Sequence, residues 1–311
     1  MTGKQLSKGK IMNIKETITQ QFIELLKAGA PAVRKLWQTA RDVGFPYNYQ
    51  TKRPYRGWNV LALWAEAMDK GYTSPAWLTF KQARELGGCV RKGEHGTLGI
   101  YFEMRPAKDA EGNPKMSAEG KPAMVPFARA FYLFNVAQID GLPADAYGTA
   151  TATRPAFADI EAAEAIMARS GASIIYGGAR AFYRPATDDV HMPERTDFVS
   201  PASFYAVAFH ELTHWTGGAT RLNRTKGKKF GDEAYAFEEL VAEIGAAFVC
   251  AEVGILPETM PDHASYVASW IKVLQSDNGA LLAAASEAGR AADFLIGKTP
   301  EATDAAAGAA A

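Results

Sequence analysis

Apolar residues at Ile14, Ile18, Phe22, Leu25 and Leu26 recur at helical spacing and predict an amphipathic helix from Ile14 to about Trp37, interrupted or restarted at Pro31. A second helix is predicted over Asn59–Lys70, stopped by Gly71, and a short third over Thr79–Leu86, ended by Gly87 and Gly88. The period then shortens. Cys89–Arg91 and Thr97–Met104 read as two strands around the turn KGEHG, and FARAFYLFNV at Phe127–Val136 is a third strand. The polar, Gly- and Pro-bearing residues 106–122 predict a loop or hairpin excursion. Beyond residue 156 helices dominate, at Phe157–Arg169, Pro201–Trp215, Asp232–Glu252, Asp262–Leu274 and Leu281–Leu295. Short strands at Ser173–Tyr176, Ala181–Tyr183 and Val190–Met192 interrupt them.

This pattern is α+β in two domains: 1–140, a linker at 141–156 (GLPADAYGTATATRPA), and a mainly helical 157–296 with a small sheet. Residues 1–11 read as a polar arm and 297–311 as a low-complexity, disordered tail. A length of 311 residues accommodates two domains, and 48% hydrophobic with 22% charged residues excludes a mainly disordered chain. No apolar run approaches the roughly 18 residues of a membrane span, so no membrane partner is expected. The first residues carry no apolar core, and Cys89 and Cys250 stand far apart, which together predict a cytoplasmic protein without a disulfide framework.

A formal net charge of zero conceals an asymmetry. Residues 1–135 hold 21 Lys+Arg against 11 Asp+Glu, and residues 136–311 hold 13 against 23. A basic module that meets a polyanion, joined to an acidic module with another task, fits that split.

In the acidic half, residues 210–214 read His-Glu-Leu-Thr-His. Histidines four apart share one helix face and can reach one ion, with Glu211 placed as the general base that takes a proton from water. Ser200 as N-cap, Pro201 in the first turn and Gly217-Gly218 at the end support that helix. A catalytic zinc site needs a third protein ligand. AYAFEELVAEIGAAF offers Glu239 and Glu243 on one face, while Glu238 points about 100° away. Glu239 is taken as the ligand and Glu243 as the carboxylate that orients a ligand histidine, with the reverse assignment open. Gly245, Ala246 and Ala247 allow close packing on the first helix. Zn2+ suits two His and a carboxylate, with Mn2+ or another divalent ion as the alternative. Arg221, Arg224, Lys226, Lys228 and Lys229, between the two helices, read either as a solvated basic loop or as an approach for DNA or an acidic substrate.

In the basic half, Tyr47, Tyr49, Tyr55 and Trp58 interleave with Lys52, Arg53 and Arg56, and a second basic group follows at Lys81, Arg84, Arg91 and Lys92. Cations that track phosphates beside aromatics that stack bases are what single-stranded DNA requires. No deaminase, P-loop or dinucleotide-binding pattern is present.

The segments PYRGWNVLALW, SPAWLTFKQARELGGCVRKGEHGT, ARAFYLFNVAQIDGLP, GGARAFYRPATDDVHMP, FHELTHWTGGATRLNR and AYAFEELVAEIGAAF occur in one order, and the chain resembles the ArdC-type antirestriction proteins of conjugative plasmids. The first half also resembles the N-terminal region of plasmid primases of the TraC type. The resemblance implies an N-terminal α+β domain that binds single-stranded DNA and a C-terminal zincin-like metallopeptidase domain. It further implies protection of incoming plasmid DNA from host restriction during conjugation. It carries the metal ligands onto His210, His214 and Glu239, and the catalytic role onto Glu211. A His is expected where this chain has Gly218. Whether the metal domain is an active peptidase stays open. The alternatives are a DNA-recruited zinc metallopeptidase acting on a restriction enzyme or another DNA-bound protein, and a priming accessory module.

Overall fold

A computed structural model describes residues 42–107, 115–116, 123–148, 156–198, 200–224, 233–255, 264–277 and 279–298, together with 16, 19–20, 22–28, 36 and 39–40. The polar arm at 1–11, Trp37, linker residues 149–155, Lys226, Lys228, Lys229 and the tail from 299 lie outside the described residues, as does most of the 106–122 excursion. Residues 22–27 of the first predicted helix are helical.

The first half is built on a four-stranded sheet in the order β1-β2-β5-β4, with β1 Tyr47–Asn48, β2 Ala76–Thr79, β4 Thr97–Pro106 and β5 Met124–Asn135. Helix α1 (Trp58–Lys70) ends where Gly71 turns left-handed, a conformation that costs glycine nothing. Thr79 closes strand β2 and opens helix α2 (Phe80–Glu85), because its hydroxyl and the Gln82 side chain form a reciprocal capping box. That cap is why the predicted helix starts one residue late, behind a strand the periodicity did not reveal. The two strands expected around KGEHG do not pair with each other. β3 (Cys89–Val90) pairs with β6 (Ile139–Asp140), and β4 runs along β5 from Thr97↔Leu133 to Pro106↔Met124. The reason is that residues 91–96 dock elsewhere: the Gln138 amide donates to Glu94 and to the His95 carbonyl, each at 3.0 Å, and Arg91 donates to the Ala137 carbonyl at 2.6 Å.

Residues 141–148, the first part of the expected linker, are packed. Ala146 is buried, and the Tyr147 hydroxyl accepts from Leu142 N–H and donates to the Ile139 carbonyl. Helix α3 (Ala156–Ser170) leads to a three-stranded sheet in the order β7-β9-β8, from β7 Ser173–Tyr176, β8 Phe182–Arg184 and β9 Asp189–Met192. Helices α4 (Pro201–Thr216), α5 (Glu233–Val253), α6 (Ala264–Ser276) and α7 (Ala280–Ile296) complete the second half. Helix α5 is buried on nearly every side, as befits an element enclosed by α4, α6 and α7.

The two halves share one hydrophobic core. Phe45 and Trp64 from the first half meet Phe248 of α5 edge-on, with ring centroids 5.7–6.1 Å apart. Gly57, at the start of α1, lies against Gly289 of α7, where an added Cβ on α7 would approach the Gly57 nitrogen to 3.6 Å. Arg56 and Asp293 form an ion pair at 2.5 Å beside this contact. Among the described residues no helix is long and apolar enough to cross a membrane.

Candidate metal centre

Helix α4 is fixed at both ends. Ser200 and Ser203 cap each other's backbone, with Pro201 in the first turn. At the other end Arg221 and Arg224 take the last carbonyls: Arg221 donates to Trp215 O at 2.7 Å and Arg224 to Thr213 O at 2.5 Å. Gly217 and Gly218 leave room for these two guanidinium groups. A side chain at 217 would meet Arg224 at 3.0 Å, and one at 218 would collide with Arg221. Arg221 therefore fills the space where the resemblance predicts a histidine.

Helix α5 packs closely on α4 because Gly245 faces Thr213, whose Cγ2 would lie 2.7 Å from a Cβ there. This contact brings three buried carboxylates, Glu238, Glu239 and Glu243, over the two histidines. One donor atom from each of His210, His214 and Glu239 lies within 4.8 Å of the others. Both Glu239 oxygens face a histidine Nε2, each at 3.5 Å, that of His210 and that of His214. Glu243 is 3.7 Å from His210 Nδ1, and Glu238 is 3.2 Å from His214 Nδ1. Each imidazole thus has a carboxylate at both nitrogens, so a cation at the Nε2 side would leave Nδ1–H facing Glu243 in His210 and Glu238 in His214. The donor set, two imidazole nitrogens and a carboxylate oxygen converging on one point, fits a divalent ion, which would take the place of the imidazole protons.

Electrostatics agree with a site built for positive charge. Burial disfavours the protonated form of His210, but the Glu239 and Glu243 carboxylates and the Glu211 charge outweigh it and raise its pKa well above the ordinary value. His214 is raised too, against burial, by Glu238 and Glu239. Burial would raise Glu239, yet both histidines hold it well below the usual carboxylate range.

Glu211 lies beside His210, nearly enclosed, and accepts from Tyr183 N–H at 2.9 Å through Oε2. Tyr183 belongs to β8, an outer strand of the small sheet. Its hydroxyl donates to Asp188 at 2.8 Å, and Asp188 receives both terminal nitrogens of Arg221, at 2.5 and 2.9 Å. The end of α4 thus holds the strand that holds Glu211.

Three of these residues escape a reading of the sequence. Glu238, placed about 100° away from the ligand face, instead joins His214 to Arg224, which donates to both its oxygens at 2.8 and 3.1 Å. Arg221 and Arg224, read as members of a basic loop, are brace residues with side chains 9% and 4% exposed. The available signal is the composition of α5: a helix buried on every side must pair every carboxylate it carries, including the third.

The aromatic and basic residues of the first half do not gather at one point. Tyr47, Tyr49 and Lys52 form a group in which Lys52 Nζ lies 3.7 Å from the Tyr49 ring centre and 5.9 Å from that of Tyr47. Tyr49 itself is buried, and its hydrogen bond to Asp145, with burial, pushes its phenol up to about 12. Tyr55 is a core residue whose hydroxyl accepts from Asn48 at 3.1 Å. Trp58 packs partly buried against the core. Arg56 is engaged by Asp293, and Arg91 by Glu94 and Asp140 at 2.9 and 3.4 Å. Arg53, Lys81, Arg84 and Lys92 are exposed.

Comparison with known proteins follows the same division. Residues 12–134 match the N-terminal domain of the anti-restriction factor ArdC, and residues 161–287 match a zincin-like metallopeptidase domain. The uncharacterized protein y4eC of Sinorhizobium fredii is 39% identical over 287 residues, 91% of each chain. A DNA primase TraC of Escherichia coli is 39% identical over 90% of this chain, which spans only 27% of that protein's length. Crystal structures of the antirestriction protein ArdC from plasmid R388 are similar at 38% identity: a metal-free form with a TM-score of 0.72, covering 90% of this chain and 96% of that one, and a Mn(II)-bound form at 0.71. With likeness over nearly the whole length in sequence, fold and domain order, the chain belongs to the ArdC family of antirestriction proteins.

Proposed function

We propose that this chain binds single-stranded DNA through its basic half and protects incoming plasmid DNA from host restriction during conjugation, while its second half holds a divalent cation. The observation that carries this reading is the likeness to the R388 antirestriction protein over 90% of the chain. The excess of 21 basic over 11 acidic residues in residues 1–135 supports the DNA part. The test delivers unmodified plasmid by conjugation into restricting and non-restricting hosts, with and without the chain. A gain in transfer confined to the restricting host is expected, and no gain overturns the antirestriction reading.

His210, His214 and Glu239 would hold the cation, with Glu243 and Glu238 orienting the two imidazoles. Manganese is the ion of the related R388 structure, and zinc suits the donor set equally. When bound, such an ion polarises a carbonyl and acidifies water.

The placement of Glu211 favours a second reading, peptidase action on a DNA-bound protein. Tyr183 N–H holds one of its oxygens, and the other is the proton acceptor hydrolysis needs. In the same transfer assay, Glu211→Ala that keeps metal and DNA binding but loses protection supports hydrolysis. Full protection by that variant assigns the function to DNA binding alone.

A further inference from the structure

Most of the ring-bearing residues that the sequence offers for DNA contact are turned inward, yet the first half exposes other rings. Phe80, the first residue of α2, is 51% exposed and Tyr132 of β5 is 60% exposed. Phe134 joins them. It lies two residues from Tyr132 on the same strand, hence on the same face, and its ring meets that of Phe80 edge-on with centroids 6.3 Å apart. The 91–96 turn lies flat against this group. A Cβ on Gly96 would stand 2.9 Å from Tyr132 Cβ and 3.0 Å from the Phe134 ring. The absence of a side chain there lets the turn pass this close to Tyr132 and Phe134.

The cations around the patch are its second feature. Lys81 and Arg84 lie on α2 directly after Phe80, and Lys92 lies in the turn that ends at Gly96; all three are exposed. Lys81 has Glu85 as a neighbour only at 3.9 Å, and Glu94 of the turn is already taken by Arg91 and Gln138. A soluble surface gains nothing from displaying two large rings beside three cations, but a ligand with flat apolar faces along a phosphate chain matches both.

We propose that Phe80 and Tyr132, with Phe134 behind them, are a base-stacking platform for single-stranded DNA, and that Lys81, Arg84 and Lys92 take its phosphates. This rests on the reading that the basic half binds single strands, and it names the surface. Tyr47, Tyr49 and Tyr55 are then not the stacking residues. The patch discriminates against duplex, whose bases are already stacked inside the helix.

The test uses the full chain and a fluorescein-labelled oligothymidine, read by anisotropy across a range of salt, with an unlabelled duplex as competitor. Phe80→Ala with Tyr132→Ala is expected to weaken binding about tenfold or more with the slope of log Kd against log salt unchanged, because stacking releases no counterions. Phe80→Trp and Tyr132→Phe keep a ring and are expected to bind like the parent. Replacing Lys81, Arg84 and Lys92 with Gln is expected to flatten the salt slope by about 2. If the parent binds and the double alanine variant binds as tightly, the platform is wrong while the DNA reading stands, and the rings belong to a protein contact. If the parent does not bind, the DNA reading falls and this assignment with it. Equal competition by duplex overturns the platform alone.

Discussion

The candidate metal centre and the proposed DNA-binding surface of the first half are built in opposite ways. At the candidate metal centre the polar groups around the two histidines are largely enclosed and fix one another: Arg224 holds Glu238, Glu238 faces His214, and Tyr183 holds Glu211. On the proposed platform of the basic half, Phe80, Tyr132, Lys81, Arg84 and Lys92 are open to solvent, and no buried network joins them. A buried network has to be complete, because an unpaired charge inside a protein costs several kcal/mol. An exposed platform can lose one member and keep the rest. The first arrangement should therefore fail as a unit, and the second by increments.

The largest effect is expected from Arg224→Ala. It leaves buried Glu238 with His214 alone opposite it, so the metal-free protein should lose about 3 kcal/mol, a fall in Tm of roughly 10 °C. Affinity for Mn2+ or Zn2+, read by competition with a chelating dye, should drop about 10- to 100-fold, the range for residues that orient a metal ligand. Glu238→Gln keeps the shape and should lose metal affinity with a smaller loss of Tm. If Arg224→Ala binds metal like the parent, the two halves of the contrast are alike after all.

How much of this was legible in the sequence depends on what each signal encodes. HELTH and its capping residues fix helix, spacing and ligand face together, because a 3.6-residue period leaves no freedom in where His210 and His214 point. The packing role of Gly245 was legible for the same reason. Glu238 was not, since angular position on one helix says nothing of what the next loop brings back to it, and Arg224 returns there only through the turn at 217–224. In the first half the local helices were legible, whereas β3 pairing with β6 is a contact across some fifty residues that no local pattern encodes. Tyr49 and Tyr55 illustrate the same limit: a tyrosine in a polar loop reads as exposed, and burial is decided by the strands that close over it.

A pH series sharpens the contrast with a smaller effect. The raised pKa of His210 means that its protonated form pairs with Glu239 and Glu243 in the metal-free protein. A raised histidine contributes stability fully below its unfolded value of about 6.5, and that contribution is lost as pH rises through the folded pKa. A divalent ion requires the neutral imidazole and replaces the lost protons. The gain in Tm on adding metal should accordingly grow as pH rises above about 6.5, and metal uptake should release protons. A metal-induced gain that shrinks over the same range would show that His210 is not a ligand. The DNA binding proposed for the basic half should show no such trend, because lysine and arginine do not titrate there.

The smallest effect is expected at Arg56, which joins the two regions. It shares a loop with Lys52 and Arg53, but its guanidinium pairs with Asp293 of α7. Burial raises the Asp293 pKa, and Arg56 with Lys298 opposes that rise. Arg56→Ala removes part of the opposition, so the Asp293 carboxyl should titrate higher than in the parent, measurable by NMR of its side-chain carbon. Because the pair is about one-third exposed on the arginine side, the loss of stability should stay near the ceiling for solvent-reachable pairs, about 1 kcal/mol. DNA affinity and its salt slope should not change, since a cation already neutralised by a carboxylate releases no counterion on meeting a phosphate. A flatter slope in Arg56→Ala would mean that DNA displaces Asp293 and pulls on α7, whose packing against α5 lies one helix from the metal ligands. Nucleic-acid binding would then be coupled to the candidate metal site through the packing of α7 on α5, and the two regions would act as one.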